Sequence, residues 1–185
     1  TACNMKKLML PDFFQASEVP IVHKFYRNYF KDCYVCGDVD YIFGPNTAFF
    51  DHCEIHSIAR VSEEKAYITA ASTPAGQEFG LIFSHCRITG EEPDSVYLGR
   101  PWRDCAKTAF ICCELGDHIC PEGWQNWGKV RAEVLSDYIE YGNFGPGADC
   151  SGRSPLSRCL VNPEVETYFS KENVLGGEDD WVPAE

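Results

Sequence analysis

The 185-residue chain is 44% hydrophobic and 14% aromatic, enough apolar material for one domain with a sizeable core, which excludes an intrinsically disordered chain. Sixteen basic against 28 acidic residues leave a net charge of −12, which argues against nucleic acid and anionic membrane surfaces as partners and fits a neutral or weakly charged substrate. No stretch approaches the roughly 20 apolar residues of a membrane helix, and the opening TACNMKKLMLPDFF has no signal-peptide core before its proline.

Residues 1–28 read as an atypical lead-in segment, with Asp12 and Glu18 in a proline-bounded stretch of loop composition. From Phe30 a pattern of Phe, two residues, Cys, one residue and an aliphatic side chain recurs: FKDCYV, FDHCEI from Phe50, FSHCRI from Phe83 and FICCEL from Phe110. On alternating strands Cys33 and Val35, Cys53 and Ile55, Cys86 and Ile88, and Cys113 and Leu115 point inward together, whereas each Phe falls on the other alternation. The leading phenylalanines are 20, 33 and 27 residues apart, near one coil of a parallel β-solenoid plus variable loops. YITAAS from Tyr67 supplies a further strand within the longest gap. A sandwich or barrel would show similar short strands, but a cysteine returning to one place in each repeat favours stacked coils. The expected fold is a right-handed parallel β-helix with coils over 29–148. A loop rich in Gly, Pro and Ser and a tail follow over 149–185, where NPEVETYFSKENVLGG forms a short helix closing at Gly176 and packs along the outside.

Eleven cysteines are an odd number, and no CxxC pair is joined to further ligands at a metal-site spacing. Most read as small buried hydrophobes in a reducing compartment, with any disulfide confined to Cys150 and Cys159. This usage and the lack of a visible leader favour the cytoplasm; secretion is the alternative if a leader precedes Thr1.

Two segments carry chemistry. In GDVDYIFG, residues 37–44, Asp38 and Asp40 are two apart, so on a strand both carboxylates face one side, a costly arrangement unless a cation or substrate compensates it. In LGRPWRD, residues 98–104, Arg100 and Trp102 share a face about two coils further on. Arginine clasps a carboxylate in bidentate geometry and tryptophan stacks on a sugar ring. Taken singly, each segment has an ordinary reading: an Asp in a turn, an Arg pairing a surface acid, a Trp in the core.

Together the two segments resemble the signature motifs of pectin methylesterases. The likeness continues through YITAASTP, AKTAFICCELGDHICPEGWQNWGK, YGNFGPGA and ENVLGGEDDWVP, and covers nearly everything after about Asn28, with Tyr41 where the family commonly has Phe. The resemblance implies a carboxylic ester hydrolase that removes methyl esters from homogalacturonan or its oligomers, without metal or cofactor, and a monomer is expected. It makes Asp40 the nucleophile that forms an acyl-enzyme anhydride, and Arg100 the partner that aims it. It makes Trp102 and Phe43 the substrate-binding walls, and leaves Trp124 and Trp127 between groove and core. The family also uses a Gln-Asp pair, whose Asp is the general acid/base and whose Gln stabilises the oxyanion, and an earlier Gln. Neither has a match, since Gln15-Ala16 lacks the acid. The expectation is an N-terminally truncated sequence with little activity of its own; the alternative is a non-catalytic galacturonan-binding pseudoenzyme. A lyase or glycoside hydrolase would need a calcium-binding acid cluster or paired catalytic carboxylates. Asp38 and Asp40 are too few for that, and Asp179 and Asp180 lie in the tail.

Overall fold

The computed structural model describes residues 4–5, 8–9, 26–62, 64–177 and 181; Asp12, Gln15, Ala16, Glu18, Asp179 and Asp180 lie outside them. The chain lays its strands into three parallel sheets, visiting each in turn until its last two strands, which both join the third. The first sheet holds β1 (Asn4–Met5), β4 (Tyr34–Gly37), β7 (Glu54–Ser57), β10 (Arg87–Gly90) and β13 (Glu114–Leu115), in that order. The second holds β2 (Leu8–Met9), β5 (Val39–Gly44), β8 (Ala66–Ala71) and β11 (Val96–Gly99). The third holds β3 (Arg27–Lys31), β6 (Thr47–Asp51), β9 (Leu81–Ser84), β12 (Lys107–Ile111), β14 (Asp137–Tyr141) and β15 (Ser157–Leu160). This is a parallel β-helix. The sheet runs past the expected coil limit at 148, because β15 pairs with β14 inside the stretch read as loop and tail.

The repeat explains the core. Phe30, Phe50, Phe83 and Phe110 occupy matching positions on β3, β6, β9 and β12, and their rings stack at 4.8, 4.6 and 4.5 Å between centroids. Each such aromatic pair adds about 0.5–1.5 kcal/mol beyond area burial. Beside them runs a cysteine column: Cys53, Cys86 and Cys113 are buried, and their thiols donate to the carbonyls of Phe30, Phe50 and Phe83 at 3.4, 3.3 and 3.4 Å. Strict alternation placed the phenylalanines away from the cysteines, yet both belong to the same core cluster. The reason is one residue. Asp32, His52, His85 and Cys112, each just before the repeat cysteine, have φ of 51°, 51°, 53° and 53°. That left-handed step turns the chain from the third sheet into the first and resets the alternation.

α1 (Ala132–Leu135) lies in the connection before β14, and the tail forms two helices rather than one, α2 (Glu164–Tyr168) and α3 (Lys171–Leu175), the latter capped at Gly176. Ser170 separates them as the N-cap of α3, its side chain accepting from the Asn173 amide. Val165, Phe169, Val174 and Leu175 pack on Phe49, Ile82, Ala109 and Ile139, covering the outer face of the third sheet. Cys150 and Cys159 are disulfide-linked, while Cys36, Cys53, Cys86, Cys105, Cys112, Cys113 and Cys120 are free thiols.

Candidate active site

The site lies on the second sheet and the turns that leave it. β5 and β8 pair with a register shift between Val39 and Ile42, and Asp40 sits in that bulge at φ 48°. A left-handed aspartate costs about 1 kcal/mol and needs surroundings that enforce it. Buried Tyr41 and Ile42 on one side provide them, Tyr41 being held by a 3.0 Å hydrogen bond between its hydroxyl and Ser57 Oγ. That bond satisfies the hydroxyl a phenylalanine would lack. A side chain at Gly37 would overlap the Tyr41 ring.

The bulge also corrects the reading of Asp38 and Asp40 as a pair on one strand face. Asp38 is exposed in the bend before β5, where its carboxylate accepts from the Val39 amide at 2.8 Å. Asp40 instead meets Arg100, with Nε to Oδ1 at 2.9 Å and Nη2 to Oδ2 at 2.7 Å. Both side chains are largely shielded, at 16% and 13% relative exposure for Arg100 and Asp40. This is the parallel two-bond geometry in which guanidinium and carboxylate are held in one plane.

Each residue of LGRPW has a physical task. Leu98 is in the core. Gly99 passes so close to Thr69 that a Cβ would overlap Thr69 Oγ1, which donates to the Leu98 carbonyl at 2.9 Å. Arg100 extends the pairing of β11 with β8 through its amide to Thr69 O at 3.0 Å, then reaches back across β8 to Asp40. Its guanidinium carbon lies 3.8 Å from the Tyr67 ring centre and 3.7 Å from that of Trp127. Two such faces contribute about 0.5–2 kcal/mol each and fix the plane of the fork. Lys129 Nζ donates to the carbonyls of Pro101 and Trp102 at 2.8 and 2.7 Å, tying down the turn, and burial lowers its pKa.

Trp102 is 43% exposed and stacks on Phe43 at 5.9 Å, with Trp127 edge-on to it at 5.7 Å. The two open tryptophan readings divide. Trp124 is core, 1% exposed, stacked on Tyr138 at 4.3 Å and donating to Glu140 Oε1 at 2.9 Å. Trp127 is part of the site, at φ 55° in a turn where Gln125 Oε1 accepts from its amide at 2.7 Å. Tyr67 and Lys129 were not among the site residues read from sequence, and Trp127 was left open there. Tyr67 carried a signal, since it opens the YITAAS strand that pairs with β5 beside Asp40; Trp127 and Lys129 come from a loop with no periodicity.

The second sheet of a parallel β-helix thus presents a clamped carboxylate beside the exposed ring of Trp102, and comparison with known proteins places that architecture in a family. The Pectinesterase family model matches residues 15–178. Pectinesterase 31 of Arabidopsis thaliana is 39% identical over 156 residues, 83% of this chain and 47% of that protein. Pectinesterase 2 of Olea europaea is 36% identical over 145 residues, 78% of this chain and 38% of that protein. Among solved structures, a pectin methylesterase from carrot matches at TM-score 0.75 and 29% identity, over 82% of this chain and 50% of that one. A pectin methylesterase in complex with a hexasaccharide matches at TM-score 0.72 and 29% identity, over 86% of this chain and 53% of that one. The chain belongs to the pectinesterase family. It spans less than half the length of these two curated relatives.

Proposed function

We propose that this site removes methyl esters from homogalacturonan, with Asp40 as nucleophile, Arg100 as the group that aims it, and Trp102 and Phe43 as sugar-binding walls. The observation that carries the reading is the bidentate Asp40–Arg100 pair, held between Tyr67 and Trp127 and opening beside the Phe43–Trp102 stack. One Asp40 oxygen adds to the ester carbonyl carbon. The carbon–methoxy bond then breaks, methoxide takes a proton from a general acid and leaves as methanol, and an anhydride joins Asp40 to the uronate; the water of the next step returns that proton. Water cleaves the anhydride, returning the Asp40 carboxylate and a free uronate carboxylate. Arg100 holds the attacking oxygens in place throughout, which is the positioning contribution. The reading as a mere binding module is not favoured, because sugar stacking does not call for a left-handed aspartate locked to an arginine. The Cys150–Cys159 bridge supports an oxidising, secretory compartment over the cytoplasmic one suggested by the other cysteines.

Methanol release from methylated galacturonan tests this with three proteins: the chain as it stands, a version that includes any coding sequence upstream of Thr1, and that version carrying Asp40→Asn. Release by the extended protein and its loss in Asp40→Asn are expected. The chain alone is expected to release about 10²–10⁴-fold less, the contribution of a general acid/base. Undiminished release from the Asp40→Asn protein would overturn the nucleophile assignment.

A further inference from the structure

Away from the Asp40–Arg100 pair, three clusters of metal-ligating side chains occur among the described residues. Two are already satisfied by the protein. Asp94, Cys120 and Glu122 surround Lys65, whose Nζ is 2.7 Å from Asp94 Oδ1 and 4.0 Å from Glu122 Oε2, while Cys120 donates to the Val96 carbonyl at 2.9 Å. In the cluster of Glu140, Cys150 and Cys159, the cysteines are bonded to each other and Glu140 accepts from Arg153 at 2.9 and 3.0 Å.

Among the described residues, the third cluster has no such internal cation or bond. His85 and Cys112 hold the same left-handed position on adjacent coils, and Glu166 comes from α2, which packs against that side of the solenoid. One nitrogen of His85, the Cys112 sulfur and a Glu166 oxygen all lie within 4.8 Å of one another. Ser84 Oγ lies 2.9 Å from His85 Nδ1, which fixes the ring and leaves Nε2 facing Glu166 Oε1 at 3.9 Å. At that distance the two make at most a weak surface ion pair.

We propose that His85, Cys112 and Glu166 form a binding site for a divalent cation of the zinc class, with the fourth position open to solvent. Imidazole nitrogen, thiolate sulfur and carboxylate oxygen together suit zinc and its mimics rather than calcium or magnesium, which take all-oxygen sites. Tetrahedral ligands at zinc bond lengths are about 3.3–3.8 Å apart. The cluster must therefore contract by at most about 1 Å, and Glu166, at 53% side-chain exposure, turns inward toward a His85 ring already held by Ser84 and stacked on His52 at 5.2 Å. Ser84 acts as the orienting hydrogen-bond partner that metal-bound imidazoles regularly have. A thiol binds the ion as thiolate, so loading displaces a proton and strengthens with rising pH. The bound ion would bridge the coils and α2, making attachment of the tail responsive to metal.

The test is titration of the whole chain with Zn²⁺ by calorimetry and with Co²⁺ by absorption. One ion per chain, proton release, a thiolate-to-cobalt band and a Zn²⁺-dependent rise in Tm are expected. His85→Asn and Glu166→Gln should each weaken binding at least about tenfold, with Glu166→Gln also losing the rise in Tm, and Cys112→Ser should remove the cobalt band. Circular dichroism checks that each variant keeps the fold. Absence of binding, wild-type affinity in His85→Asn, or a cobalt band that survives Cys112→Ser would overturn the site, the last by placing the ion on Cys36 or Cys105.

Discussion

Arg100 is the residue whose surroundings say most about its task. Lysine at this position would keep a positive charge but lose the second hydrogen bond and the flat stacking between Tyr67 and Trp127. Arg100→Lys is expected to lower kcat for methanol release about a hundredfold with the fold intact, and steady-state kinetics would show it. A variant with normal kcat would mean that orientation of Asp40 does not limit the reaction. His118 is the other informative residue. It is fully buried, neither ring nitrogen has a hydrogen-bond partner among the described residues, and burial lowers its pKa from 6.5 to about 4, against a small opposing pull from Asp117. The folded protein therefore resists a proton that the unfolded chain accepts. Stability attributable to this residue is complete above about pH 6.5 and is lost as pH falls toward 4, by about 3 kcal/mol in all. Urea unfolding at pH 7 and pH 4.5 should show a smaller loss in His118→Leu than in the parent. Equal losses would show that the burial of this ring is relieved in acid.

At the scale of the element, the phenylalanine stack is the central stabilising feature of the third sheet. Phe83 has a ring on each side, at 4.6 and 4.5 Å, and is wholly buried. Phe83→Ala is expected to cost about 3–5 kcal/mol, more than Phe30→Ala at the half-covered end of the stack, as denaturant midpoints would reveal. Similar costs at both ends and middle would argue that the rings act singly. The repeat itself was legible because Phe and Cys recur at fixed spacing. The inward direction of Phe was not, since a period-two rule carries no information about the left-handed residue at Asp32, His52, His85 or Cys112. Asp38 and Asp40 failed for the same reason: the bulge at Asp40 breaks the alternation on which their pairing rested. β15 was hidden in a Gly, Pro and Ser-rich stretch whose composition reads as loop, yet it aligns with β14 over four residues. By contrast, the Asp40–Arg100 contact was expected only from the resemblance of the two motifs to those of a known family, since each segment by itself has an ordinary reading.

For the molecule as a whole, a charge of −12 sets the response to salt. Each ester cleaved adds a carboxylate to the polymer, so the partly processed substrate becomes an anion facing an anionic protein. On the proposed reading, KM for extensively demethylated polymer should fall as ionic strength rises toward about 0.1 M, where screening acts over about 10 Å, while KM for fully methylated polymer stays flat. Parallel curves for the two substrates would show that local cations around Arg100 and Lys129, not the overall charge, govern the encounter.

The reach of Arg100 across β8 to Asp40 also constrains how such a chain can change in length. Three neighbouring rungs, β5, β8 and β11, define the clamp, and its two halves meet only because one rung separates them. Duplicating or deleting a coil between residues 40 and 100 would move one partner by a rung, about 4.8 Å, and part the two groups. Solenoids ordinarily lengthen and shorten by whole coils. Here that freedom stops inside the span from Asp40 to Arg100, so insertions in it must take the form of loops, and the stack can gain or lose rungs only outside it.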